Sequence, residues 1–559
     1  MNNIKRTKSQ ESSHAIERLY ITMRHLFNRG FYKPMGISGK TLRDALLTLR
    51  PEIYGSIAEE KTELNGLLYI IERLPEGIAE CQYIQLTAEE GMSNSHFEAI
   101  VPAKRRRNCY RIDKDQMNIE ITRGRSDIYD VLTHLTFLYM ESDKIARKVL
   151  YNEDDNLSRE WSILEETVLG NKKLTKNEKE ILFSYLSTIL GRTFQEVQIF
   201  YNKFETKEKP NRFFEIIFWM GNLAIKEILE DKKHVINFSP VLRERIGHHI
   251  YGEKWANSIK VVLNQKNLLH REIHIISANM HSVMNSLFIK MALPEELEKN
   301  PGMGIFEILS KEENDHLQKV VKKTAAKNGL VFVDDRSGTN IDVQIIDTAK
   351  IDFEKTIFKT DKNGEERPVI IVMDYAFGEQ AYETLDELIK PYLSLTGEKH
   401  YLNIDSISIM GKAGILKGGK GDIMIPTAHI FEGTADNYPF KNRLNTKDLN
   451  GHGIDVYSGT MITVLGTSLQ NKDLLEFFYN SSWKVIGLEM EGAHYQKAIQ
   501  SASKIRGNIK KKVKVRYAYY ASDNPLETGS TLASGGLGTT GVKPTYLITQ
   551  KILEQIFNG

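Results

Sequence analysis

The chain has 559 residues, with Lys and Arg numbering 75 against 73 Asp and Glu. A net charge of +2 excludes a global attraction to nucleic acid or to acidic membrane surfaces. A chain of this length exceeds one ordinary hydrophobic core, and its two cysteines, Cys81 and Cys109, exclude a disulfide scaffold and a thiolate metal cluster.

The start, "MNNIKRTKSQESSHAIERLY", lacks the apolar stretch of a signal peptide, and no later run approaches the roughly 18 apolar residues of a membrane span. The expectation is a soluble cytoplasmic protein that binds neither membrane nor nucleic acid. "MGISGKT", Met35 to Thr41, has a proline where a phosphate-binding loop needs its first glycine, so no nucleotide site is expected there. "AKRRRNCYR", Ala103 to Arg111, reads as a solvated basic loop, or more sharply as a phosphate effector site.

From about Ala15 to Leu297 apolar residues recur at intervals of three and four, as in "DVLTHLTFLYMESDKIARKVL", "FFEIIFWMGNLAIKEIL" and "IHIISANMHSVMNSLFI". These segments predict helices. "MNIEITR" alternates like a short strand, and Ser126 with Asp127 offers a cap for the helix that follows. The pairs His248 and His249, and His274 and His281, lack carboxylates at metal-ligand spacing and read as core or capping residues; no metal or cofactor is implied.

After "LPEELEKNPGMG" short β-branched runs alternate with helix-sized segments: "LVFVDD", "VQIIDT", "RPVIIVMDY", "DSISIMG", "GDIMIPTA", "GTMITVLG", "WKVIGLEM" and "VKVRYAYYAS". That alternation predicts an α/β domain whose ligand lies beyond the carboxyl ends of its strands. The boundary is placed near residue 300, giving a mainly α-helical N-terminal domain of unknown role over 1–300 and a second domain over 301–559.

Three blocks in the second half carry chemistry. They are "ISIMGKAGILKGGKGDIMIPTA" (407–428), "GLEMEGAHY" (487–495) and "YYASDNPLETGSTL" (519–532). Their order resembles the purine nucleoside phosphorylase and nucleosidase superfamily. The "SDNPL" variant most resembles AMP nucleosidases, in which a lysine commonly stands at the place of Asn524. The resemblance covers residues 300 to 559. It implies a nucleoside phosphorylase-like mixed sheet flanked by helices, a purine nucleotide or nucleoside as ligand, and a homo-oligomer.

The chemistry fits those residue types. Breaking a purine N-glycosidic bond passes through an oxocarbenium-like sugar and leaves electron density on the base. The resemblance implies that Asp523 is the acid toward the purine, held by Ser522. It assigns Glu491 to the ribose hydroxyls and Met490 to the apolar ring face, with Glu489 in support. Gly411, Gly414 and Gly378 would let the backbone approach the ligand.

Three departures accompany the match. Ile415 stands where a second glycine is common, the first glycine-rich turn is reduced to Gly378, and no "GDPxR" motif is present. The water-activating carboxylate is unmatched, with Asp374 a stand-in by position. The leading expectation is hydrolysis of AMP to adenine and ribose 5-phosphate; alternatives are a phosphate-dependent phosphorylase and a non-catalytic purine sensor.

Overall fold

The computed structural model describes residues 7–151, 156–170, 174–394, 396–434, 436–527 and 537–559. The chain divides into two compact units. The first holds the chain up to Thr122, Asp127–His248 and Ser468–Leu474; the second holds Arg123–Ser126, His249–Thr467 and Leu475–Gly559. The second unit thus takes up the chain from His249, ahead of the change in residue pattern near residue 300.

In the first unit long helices predominate, including Lys8–Arg29, Gly124–Val149 (α1) after its first residues, and Arg212–Leu229. Their starts follow local chemistry: Thr7 with Gln10, Thr175 with Glu178 and Thr193 with Glu196 each form a reciprocal capping box. Phe213, Phe214, Ile217 and Phe218 of "FFEIIFWM" are buried, as the periodicity predicts. The helices share the unit with a five-stranded sheet in the order Phe31–Tyr32, Val235–Phe238, Tyr83–Thr87, Gln116–Glu120, Cys109–Arg111. Of these only the Gln116–Glu120 strand is signalled by the sequence, through the alternation of "MNIEITR".

The basic stretch is solvated only in part: Lys104 and Arg106 are exposed, while Arg105 and Arg107 are engaged by carboxylates. Arg107 is 3% exposed and bonds the carboxylates of Asp127 and Asp130, while Arg105 forms a two-pronged pair with Asp130 at 2.9 and 2.8 Å. Two aspartates from the following helix neutralise these two guanidinium groups, which turns Arg105 and Arg107 inward and removes the basis for reading them as a phosphate site.

The second unit is built on a ten-stranded sheet. Its strands are β1 (Ile273–Ser277), β2 (Leu330–Val333), β3 (Val343–Asp347), β4 (Val369–Met373), β5 (Ile404–Ile415), β6 (Ile423–Phe431), β7 (Asn437–Pro439), β8 (Val456–Thr463), β9 (Val485–Glu489) and β10 (Lys514–Asp523). The order is β7-β6-β8-β9-β5-β1-β4-β3-β2, with β10 pairing both β5 and β6. Strands β5, β10, β6, β8 and β9 therefore close into a ring. Strands β4, β1, β5 and β10 run parallel, so their carboxyl ends share one edge.

Both faces of this sheet are covered, which is why its strands read as unbroken β-branched runs. Val369, Ile371 and Met373 of β4 join the core under helices Ile250–Gln265, α3 (Gln380–Leu388) and α4 (Gly492–Gln500). Ile370 and Val372 point to the opposite core, under α2 (Met280–Ala292) and α5 (Val542–Phe557). Strand β1 corrects the helical reading of "IHIISANMHSVMNSLFI": its first five residues are a buried strand, and the helix starts only at Met280. Among the described residues no helix is long and apolar enough to cross a membrane.

Candidate functional site

The three blocks meet on two residues of β5. Gly414 pairs with Asp523 of β10 on one side and with Leu488 of β9 on the other. The register between β5 and β10 slips at Ala413–Gly414, so Ser522 is left out of the ladder. Its hydroxyl instead donates to the Ala413 carbonyl at 3.1 Å and to Asp523 Oδ1. Gly487 explains itself at this junction, because a Cβ there would lie 2.6 Å from the Gly414 carbonyl oxygen.

Asp523 is 5% exposed, and its Oδ2 has no hydrogen-bond partner among the described residues. Burial pushes its carboxyl above the usual range, against the hydrogen bond from Ser522 and the charges of Lys412 and Lys420. A carboxyl with one oxygen held and the other bare is poised to give or share a proton. Asn524 donates to the Gly418 carbonyl at 2.9 Å and accepts from the Leu526 amide at 3.0 Å. It fixes the loop after β5 rather than presenting a charge.

At the end of β9 the two glutamates separate into different tasks. Glu489 is 5% exposed, and its carboxylate accepts from the Thr463 hydroxyl and from the backbone amides of Glu491 and Gly492. It caps the start of α4, using the free amides of a helix N-terminus. Those bonds engage Glu489 in holding the turn. Glu491 is half-buried, and its Oε1 accepts the backbone amide of Gly378 at 2.9 Å. Burial raises both carboxyls, and the charge of Glu489 raises Glu491 further. Met490 is half-buried in the turn between them.

Gly378 lies on the turn after β4, with φ +56. A Cβ there would stand 2.3 Å from Ser126 Oγ, so the position requires glycine twice over. Gly411 has a different environment: within 4 Å a Cβ would meet only the Tyr375 ring, at 3.5 Å. Asp374 Oδ1 accepts the Tyr375 amide at 2.8 Å. Of the eight sequence-derived residues, the structure therefore brings Gly414, Ser522 and Asp523 together at one point and links Glu489, Glu491 and Gly378 through hydrogen bonds at an adjoining one.

Several groups at this edge carry weaker sequence signals. Lys412 sits between the two glycines of "MGKAGI", is exposed, and acts on Asp523 electrostatically. A cavity of about 580 Å³ opens beside it, lined by Asn279, His281, Lys412, Tyr520, Gly541 and Thr545 among others. Beneath the Glu489–Gly492 turn His429 is fully buried, pushed down to about 3 by burial and so neutral, with Tyr519 Oη 3.4 Å from its Nε2. The residues of the third block from Thr528 onward lie outside the described residues.

A family of unknown function, DUF6909, matches residues 40–296 and 307–558. The chain belongs to that family. No curated protein matches it in sequence. Among solved structures it is similar to the futalosine hydrolase of Helicobacter pylori, at 13% identity over 51% of this chain and 98% of that one, with a TM-score of 0.30. It is also similar to the 5'-methylthioadenosine/S-adenosyl homocysteine nucleosidase of Campylobacter jejuni, at 11% identity over 51% and 99% of the two chains and a TM-score of 0.30. Isoform 2 of uridine phosphorylase from Schistosoma mansoni is similar at 12% identity over 55% and 90%, again with a TM-score of 0.30.

Proposed function

We propose that this protein cleaves the N-glycosidic bond of a purine nucleotide or nucleoside, with hydrolysis of AMP to adenine and ribose 5-phosphate as the specific reaction. The observation that carries this reading is the meeting of β5, β9 and β10 at Ala413–Gly414: Gly414 pairs on one side with Asp523, a buried carboxyl whose Oδ2 has no partner among the described residues, and on the other with Leu488, three residues before Glu491.

In this reading the bond from the sugar C1′ to the purine nitrogen breaks, and its electron pair leaves with the base. Asp523 supplies or shares the proton that neutralises the departing purine, helped by the raised affinity for protons that burial gives it. Glu491 binds the ribose hydroxyls, and its charge favours the positive character that develops on the sugar. Met490 lines the apolar face, and water adds its oxygen to C1′ while the proton it gives up replaces the one that Asp523 delivered to the base. The "SDNPL" block supports AMP as the compound, and an assembly of several copies accompanies the reading.

A second reading is favoured by one feature. Lys412 is an exposed cation that lines the cavity and acts electrostatically on Asp523, and an anion is electrostatically welcome beside it. Inorganic phosphate in place of water would make the enzyme a phosphorylase that releases ribose 1-phosphate. The test is to incubate the purified protein with AMP, ATP, adenosine and inosine, with and without phosphate, and to separate the products by chromatography. Free adenine from AMP without phosphate supports hydrolysis. Base release only with phosphate selects the phosphorylase, and absence of free base from every compound ends the catalytic reading.

A further inference from the structure

We propose that Ser126 and Arg125 are positioning residues for Glu491, holding the Phe377–Glu379 turn so that the Gly378 amide fixes the Glu491 carboxylate. The inference rests on the reading above only for what Glu491 does to a substrate; the linkage itself is independent of it.

The second unit is continuous from His249 to Thr467, yet it also takes in four residues from far upstream, Arg123–Ser126. Those residues grip one short turn. The backbone amide of Glu379 donates to Ser126 Oγ at 2.9 Å, and Arg125 Nη1 bonds Glu379 Oε1 at 3.1 Å. The Arg123 guanidinium lies 4.8 Å from the centre of the Phe377 ring. Between those held residues is Gly378, whose amide donates to Glu491 Oε1 at 2.9 Å.

Two successive amides therefore have two different acceptors: Gly378 gives its hydrogen to Glu491, and Glu379 gives its hydrogen to Ser126. The carbonyls of Phe377, Gly378 and Glu379 accept from the first amides of α3, and the Phe377 amide donates to Gln380 Oε1, whereas the Gly378 and Glu379 amides precede the helix and bond outside it, to Glu491 and Ser126. Ser126 is 6% exposed, and the Arg125 and Glu379 side chains are 19% and 18% exposed, so water competes little for these bonds. Sequence alone offers Ser126 as a helix cap. The structure starts α1 at Gly124, places Ser126 in its first turn and sets its oxygen on Glu379.

A hydrogen bond to the charged form lowers a carboxyl's proton affinity, so loosening the turn raises it. The experiment follows Glu491 by carbon NMR of glutamate-labelled full-length protein, with Glu491→Gln identifying its signal. Ser126→Ala and Arg125→Met are compared with the wild type at unchanged melting temperature. The other titratable groups facing Glu491, namely Glu489, Tyr495 and Tyr519, are untouched by either substitution. The expected result is an upward shift of the Glu491 midpoint by about one pH unit, tenfold in proton affinity, in each variant.

A midpoint equal to that of the wild type in both folded variants overturns the inference. Should Ser126→Ala fail to fold, Arg125→Met decides alone, because it leaves the Glu379 amide bond in place. Base release from AMP gives an independent arm. If the wild type is active, both variants lose kcat with a matching displacement of the acidic limb of the pH profile. If the wild type releases no base, the catalytic reading falls while the NMR titration still decides the linkage.

Discussion

Replacing Gly378 with alanine perturbs the candidate site at its narrowest point. Gly378 has φ +56, a left-handed conformation that costs an alanine about 1 kcal/mol relative to glycine. The new methyl group would also stand 2.3 Å from Ser126 Oγ, well inside contact distance, so one of the two must move. Relief of such overpacking costs about 1–3 kcal/mol. Together these effects disfavour the native turn by about 2–4 kcal/mol. Moving the turn withdraws the Gly378 amide from Glu491, and a hydrogen bond to a charged group contributes about 1.5–3 kcal/mol. If Glu491 binds ribose in the transition state, kcat/KM for the purine substrate falls about 10- to 100-fold. Steady-state base release gives that ratio, and a thermal melt recorded alongside gives the stability loss. Full activity together with an unchanged melting temperature would refute both the turn geometry and the role given to Glu491.

Other substitutions probe the electrostatics. Lys412 lowers the proton affinity of Asp523, so Lys412→Met should move the Asp523-dependent limb of the pH–rate profile to higher pH, which a profile from pH 4 to 9 measures. Glu489 raises Glu491, so Glu489→Gln should let Glu491 ionise at lower pH and shift the acidic limb downward; an upward shift would mean that the cap at α4 outweighs the charge. In the first unit, Arg107→Met strips the cation from buried Asp127 and Asp130, and denaturant unfolding should show a loss of about 3–5 kcal/mol.

Much of the site is legible in the sequence because its chemistry sits in contiguous blocks. "MGKAGI", "GLEMEG" and "ASDNP" each place a glycine or carboxylate at a strand end, and a strand end keeps neighbours in sequence as neighbours in space. What the sequence hides is non-local. The division of labour between Glu489 and Glu491 depends on Thr463 and Gly378, which lie 26 and 113 residues from their partners. Ser126 reads as a cap because the N-terminus of a helix attracts serine, and nothing local signals that its oxygen faces Glu379, 253 residues on. The buried run of β1 is five residues long and flows into an amphipathic helix, so apolar periodicity merges the two. The inward turn of Arg105 and Arg107 is equally silent, since it depends on aspartates some twenty residues later.

Asp523→Asn tests the central claim most directly, because it removes the acid while keeping size and shape at a residue that is 5% exposed. Ser522 can still donate to the amide oxygen, so the fold should survive and the melting temperature should stay close to that of the wild type. General acid catalysis contributes about 10²- to 10⁴-fold, so release of adenine from AMP should fall by at least two orders of magnitude. A folded Asp523→Asn protein that releases base at the wild-type rate would contradict the account.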